Sequence, residues 1–154
     1  MAAELVIRPA TLDDRDTVVD YNRRLAEESE GKQLPLDTVR PGVAAILGDP
    51  TLGRYYMACR EGRTIGQTMI TFEWSDWRNG QIWWIQSVYV APEERRGGVF
   101  RAMFEHVRQT ALREQVVGLR LYVERNNEPA LAVYQKMGME NAGYLVFEQM
   151  FQDI

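Results

Sequence analysis

Arg95, Arg96, Gly97, Gly98 and Arg101 lie together between a run of β-forming residues and a run of helical periodicity. Cations and glycines at the start of a helix suit a phosphate ester. First-turn N–H groups point outward there, the helix dipole adds positive potential, and glycine lets an anion approach the main chain. Upstream, Ile85-Gln-Ser-Val-Tyr-Val90 is β-branched and aromatic enough for a buried strand. Pro92 ends it, because proline has no N–H to give to a ladder. Downstream, Val99, Phe100, Met103, Phe104, Val107 and Ala111 share one helical face, with Arg101, Glu105, Arg108 and Arg113 opposite. Alone, a Gly/Arg turn is a weak signal, since a solvated turn has the same composition.

Size and composition narrow the classes. The chain of 154 residues, 45% apolar and 26% charged, is expected to form a single domain, 1–154, with one core. No apolar run approaches a membrane span, and no signal-peptide stretch opens the chain. One cysteine, Cys59, rules out an internal disulfide and suits a reducing, cytoplasmic setting. A net charge of −4 argues against broad nucleic-acid binding and is compatible with a cationic substrate. No metal-ligand spacing appears, and His106 has no nucleophile motif beside it.

Stepping outward along the chain, Leu5-Val6-Ile7 reads as a first strand. Thr11 caps a helix reaching Glu28, with Asp13 and Asp14 in its first turn. A second helix runs from about Asp37, with Pro41 tolerable near its start, and Gly48-Asp-Pro50 closes it. Arg54–Cys59 and Thr64–Trp74 form a hairpin about Glu61-Gly62-Arg63, and Asn79-Gly80 leads into a strand over 81–90. After the central helix come a strand over Gly118–Val123, a helix over Asn127–Met137 stopped by Gly138, and a final strand over Tyr144–Met150. Trp74, Trp77, Trp83 and Trp84 straddle one hairpin and read as cross-strand packing, with an aromatic wall around a cationic acceptor as the second reading. The order defines an α/β (α+β) fold with a mixed, mostly antiparallel central sheet and flanking helices.

Arg95, Gly98 and Phe100 follow the pattern Arg/Gln, two residues, Gly, one residue, Gly/Ala, except that phenylalanine takes the last place. The stretch resembles the cofactor motif of the GNAT superfamily, the acyl-CoA-dependent N-acyltransferases. A second stretch, with Asn127, Ala130, Tyr134, Lys136 and Gly138, is similar to that family's other signature. The opening Ile7-Arg-Pro-Ala-Thr-Leu-Asp-Asp14 is typical of it too.

The resemblance implies a splay between two central parallel strands, Ile85–Val90 and Gly118–Val123, with the pantetheine arm of acetyl-CoA in the gap. It assigns Val88, Tyr89 and Val90 to the arm, and the stretch Arg95, Arg96, Gly97, Gly98, Val99, Phe100 and Arg101 to the pyrophosphate. Asn127 either bonds the arm or caps the last helix. Tyr134 takes the family's general-acid position, although a core tyrosine would look the same on that helical face. The base is open: Glu73 is the first candidate, then Asp76, Glu124 or a water chain.

The reading is therefore an acetyl-CoA-dependent N-acetyltransferase for a primary amine on a small molecule or a protein, with no metal. No nucleic acid or membrane partner is expected, and a homodimer stays open. A non-catalytic acyl-CoA sensor of the same fold is the alternative. An RNA-binding module fits the acidic balance poorly.

Overall fold

Residues 3–154 are described, by a computed structural model. They fall into two compact units, one running to Leu121 and one from Tyr122 to Ile154.

Turn chemistry sets the sheet of the first unit. Strands β1 (Leu5–Pro9), β2 (Arg54–Arg60), β3 (Arg63–Ser75), β4 (Gly80–Val90) and β5 (Gly118–Leu121) lie side by side in chain order. Glu61 and Gly62 both take positive φ, which closes a two-residue hairpin between β2 and β3. Asn79, at φ 49°, turns the chain into β4. The first four strands are antiparallel, and only β4 and β5 run parallel. The mixed, mostly antiparallel sheet with flanking helices is the architecture expected from the sequence.

Three helices accompany it: α1 (Arg15–Glu30), α2 (Leu36–Gly48) and α3 (Val99–Arg113). Thr11 and Asp14 form a reciprocal capping box ahead of α1. Arg8 adds a two-pronged bond to Asp14, with both N···O distances 2.8 Å. Gly31, at φ 65°, ends α1. Pro41 is the sixth residue of α2, deeper than the start-of-helix place expected for it, and the helix continues past it.

Strand alternation splits the core between the two faces of the sheet. On one face Tyr55, Met57, Cys59 and Met69 pack with Val18 and Val19 of α1 and Val43 of α2. On the other, Ala58 and Ile65 pack with Val99 and Met103 of α3. Each fully buried apolar chain contributes about 1.5–3 kcal/mol. Phe100 differs from its neighbours on the stripe, because it is only half-buried, with its ring 6.4 Å from that of Phe104. The tryptophans also divide. Trp83 is fully buried, whereas Trp74 and Trp77, at the turn between β3 and β4, are 62% and 87% exposed.

In the second unit, Asn127 caps α4 (Glu128–Lys136) by accepting the N–H of Ala130 at 3.2 Å. Gly138, at φ 89°, follows its end. Two expectations need correction. The strand beginning at Gly118 ends at Leu121, not Val123, because its ladder to β4 stops there. Tyr144–Met150 forms no strand: from Met139 onward no helix or strand occurs, since no ladder partner meets these residues.

Candidate active site

β4 carries the main-chain irregularity of the site. Its register to β3 runs evenly from Ser75↔Gly80 to Met69↔Gln86, then shifts so that Gln67 faces Tyr89. Ser87 and Val88 together therefore oppose Thr68 alone, which is a β-bulge. Ser87 sits at φ 51°, left-handed for a residue with a side chain. Such strain persists only where neighbours hold it.

Gln67 is one of those neighbours. Fully buried in β3, it donates from Nε2 to Ser87 O at 3.0 Å and to Asn22 Oδ1 at 2.9 Å. Asn22, on α1, donates in turn to the Tyr55 hydroxyl at 2.9 Å. Burial pushes the Tyr55 phenol up from its ordinary value, so it keeps its proton. The bulge is thus held from inside the molecule by a polar chain across α1, β2 and β3. Sequence reasoning missed Gln67, Asn22 and Ser87. The available signal was a glutamine set between Ile65 and Met69-Ile70 in an expected strand.

The ladder between β4 and β5 covers only Ile82–Ile85 against Gly118–Leu121. Gln86–Val90 therefore continue without a parallel neighbour, and Val88, Tyr89 and Val90 have one edge of their main chain outside the ladder. The parallel ladder thus ends where β5 itself ends, at Leu121. Beyond Val90 the chain turns through Pro92–Glu94 and reaches α3 at Gly98, which caps the helix at φ 80°. A Cβ at Gly98 would meet nothing within 4 Å, so the space over this turn is open. Arg96 also takes a left-handed φ, 67°, which tightens the loop.

The arginines of the loop separate by role. Arg95 donates from Nε to Val90 O at 2.9 Å, pairs with Glu28 at 3.0 Å and lies 5.4 Å from the Tyr89 ring centre. It ties the end of β4 to α1. Glu94 similarly binds Arg60 at 2.8 Å. Arg96 and Arg101 are exposed. Gly97 is confined, since a Cβ there would lie 3.2 Å from Glu94 O.

Glu73, at the far end of β3, accepts from Arg120 at 2.9 Å and from Trp84 Nε1 at 2.7 Å. The Trp84 bond and the Arg120 guanidinium hold its carboxyl below its ordinary value of 4.5. Asp76 accepts from the N–H of Trp77, and Glu124 from that of Asn126; both serve local turns. In the second unit, burial pushes the Tyr134 phenol up from 10.0, so its hydroxyl keeps its proton at neutral pH. Asn127 performs the capping role.

Among the described residues, no group of three or more His, Cys, Asp and Glu side chains could hold a metal ion. A cleft of about 460 Å³ lies elsewhere, between α2, β2 and α3, lined by Ile46, Leu47, Arg54, Tyr56, His106 and Thr110 among others. It includes none of the residues of the bulge or the Gly98 loop.

A mixed sheet with one parallel pair, a bulged β4 and a glycine-capped α3 make up the frame of this candidate site. The family model for the acetyltransferase (GNAT) family matches residues 18–139, and the chain belongs to that family. A possible acetyltransferase from Clostridium difficile 630, known from its crystal structure, is 41% identical. It superposes with a TM-score of 0.90 over 97% of this chain and 99% of that one. Streptothricin acetyltransferase of Escherichia coli is 28% identical over 92 residues, 60% of this chain. The match spans only 50% of that protein's length. A predicted acetyltransferase from Clostridium acetobutylicum, solved with acetyl-CoA, is 20% identical with a TM-score of 0.77 over 94% of this chain and 96% of that one, a likeness of fold.

Proposed function

We propose that the protein transfers the acetyl group of acetyl-CoA to a primary amine by direct attack. The observation that carries this reading is the bulge at Ser87 beside the unpaired edge of β4. An extended pantetheine arm presents amides, and amides bind best to a strand edge that no other strand occupies. Val88, Tyr89 and Val90 supply that edge. The amides from Arg96 to Arg101 receive the pyrophosphate at the start of α3, where Gly98 leaves room and the dipole is positive. Arg95 shapes this turn and Arg96 and Arg101 add charge to it.

The amine nitrogen attacks the thioester carbon, its N–C bond forms, and the C–S bond breaks as the coenzyme A thiolate leaves. The Val88 N–H is the donor to the developing oxyanion. Tyr134 gives its proton to the departing sulfur and regains one from the attacking nitrogen, which becomes positively charged as its N–C bond forms. Glu73 attracts the ammonium form of the acceptor and takes its proton first. A carboxylate of lowered pKa holds that proton weakly, so water carries it on.

Two measurements test the proposal. Acetyl-CoA should raise the melting temperature of the protein, because a ligand that binds only the folded state stabilises it. Gly98→Glu should remove most of that rise by filling the open space and repelling phosphate. An equal rise in the variant would retire the pyrophosphate site. Release of free coenzyme A across a panel of primary amines then tests turnover; no release with any amine, despite tight acetyl-CoA binding, would favour a sensor over an enzyme.

A further inference from the structure

The cleft between α2, β2 and α3 shares no residue with the Gly98 loop, the bulge, or the proposed acid and base. At about 460 Å³ it falls within the ~300–1,000 Å³ of small-molecule sites. Part of its lining is apolar. Ala10, Ile46 and Leu47 pack against the core cluster that holds Val18, Val19 and Val43, yet they stay only half-buried. Pro50 extends the same wall. The polar wall comes from α3. His106, Thr110 and Arg113 fall at i, i+4 and i+7, so one helical face carries all three into the lining.

Charge around the cleft leaves one cation unanswered. Glu114 would repel an anion, but both its oxygens accept from Arg54, at 2.7 and 3.0 Å. Arg54 is engaged by that pair and by the faces of Phe72 and Trp83, 5.6 and 5.1 Å away. Arg113 has no such partner. Among the described residues it meets only the neutral Thr110 hydroxyl, at 3.2 Å. That hydroxyl is fixed in turn, because it donates to His106 O at 2.7 Å and so keeps its lone pairs for Arg113. Burial and the Arg113 charge keep the His106 ring neutral at pH 7. The positive charge of this wall is therefore that of Arg113.

An apolar wall facing one unanswered guanidinium selects a class of ligand. An ammonium would meet Arg113 as a like charge. A phosphate ester would bring up to two charges and a strongly held hydration shell against Ile46 and Leu47. A monocarboxylate matches the single guanidinium, takes a two-pronged bond from it, and turns its hydrocarbon body to the apolar side.

We propose that this cleft binds a small monocarboxylate with an aromatic or branched aliphatic body. Its carboxylate lies on Arg113 beside His106, and its hydrocarbon lies against Ala10, Ile46, Leu47 and Pro50. The site is independent of the acetyl-CoA site and of the acceptor.

3-Phenylpropionate is the probe, with 3-phenylpropionamide and 3-phenylpropylamine as its neutral and cationic counterparts. His106 is the only histidine of the chain, so its ring protons report on the cleft without overlap in NMR spectra. Titration with the acid near neutral pH should move them along a saturating curve with a Kd below about 1 mM, ordinary for a ligand of this size. The amide and the amine should bind at least about 10-fold more weakly, since only the acid completes the charge pair. In Arg113→Ala the acid should lose about the same 10-fold while the amide keeps its affinity. No saturable shift up to about 10 mM acid overturns the proposal. So does an amide or amine that binds as tightly as the acid, or an acid affinity unchanged in Arg113→Ala. Arg113 is exposed in the last turn of α3, where alanine is a good helix former. Should the variant still misfold, the ranking of the three probes on the unaltered chain decides alone.

Discussion

At the scale of single residues, Tyr134 is where the proposed mechanism is most exposed to test. Burial raises its pKa, so the hydroxyl carries a proton across the neutral range and has one to give. Tyr134→Phe keeps the ring and its packing and removes only the donor. Stability and acetyl-CoA affinity should stay nearly constant while kcat falls about 10–10⁴-fold, the span of general-acid contributions. An unaltered kcat, measured where chemistry limits the rate, would return Tyr134 to a packing role. Residue identity in the sequence offers Tyr134, Gly98 and Asn127 as candidates, because each stands in a spaced signature. It was not enough to say what Arg95 does. The bond of Arg95 to Glu28 joins positions 67 residues apart, and no local pattern encodes that. Gln67 is similar: its polarity is visible in the sequence, but Ser87 and Asn22 become its partners only through the fold.

At the scale of elements, the bulge in β4 depends on that inner polar chain. Gln67→Leu would leave the part-buried Ser87 O and Asn22 Oδ1 without their donor, at a cost of up to about 1–3 kcal/mol for an unsatisfied group. Urea melts should show the loss, and acetyl-CoA affinity should fall with it, because the edge beyond Ser87 would no longer be held in place. A variant as stable as the parent and binding acetyl-CoA equally well would show that the bulge holds itself. The elements legible in advance were those whose information is local. Capping at Thr11, turns at Glu61-Gly62 and Asn79-Gly80, and the helical stripe of α3 all come from residues adjacent in sequence or one helical turn apart. The bulge was not legible, since a register shift is a property of two strands. Tyr144–Met150 illustrates the same limit from the other side. Its residues have every local preference for a strand, yet a strand exists only where an edge is offered to it.

At the scale of the whole molecule, the titrating groups set a common expectation for stability against pH. Arg8, foremost through its bond, lowers Asp14; Trp84 and Arg120 lower Glu73; and Arg54 lowers Glu114. Groups of this kind stabilise the fold above their unfolded pKa values, 3.8 and 4.5, and the contribution is lost as pH falls through the lower folded values. His106 acts earlier. Its ring lies edge-on to Tyr56, 5.2 Å between centres, and burial together with the Arg113 charge lowers its pKa below 6.5. Folding therefore favours the neutral ring, and stability should begin to decline as pH drops below 6.5. On the alkaline side, burial raises Tyr21, Tyr55 and Tyr134 above 10.0, so the folded chain keeps protons that the unfolded chain releases. That contribution is present below pH 10 and lost above it. The melting temperature should thus be level between about pH 7 and 9, slope gently below 6.5, and fall steeply below about 4.5. His106→Phe, which keeps a ring against Tyr56, should flatten the gentle slope and leave the steep limb. Melts followed by circular dichroism across this range check both parts. A melting temperature that rises from pH 7 to 5, or a slope unchanged in the His106 variant, would mean that groups other than these govern the acid response.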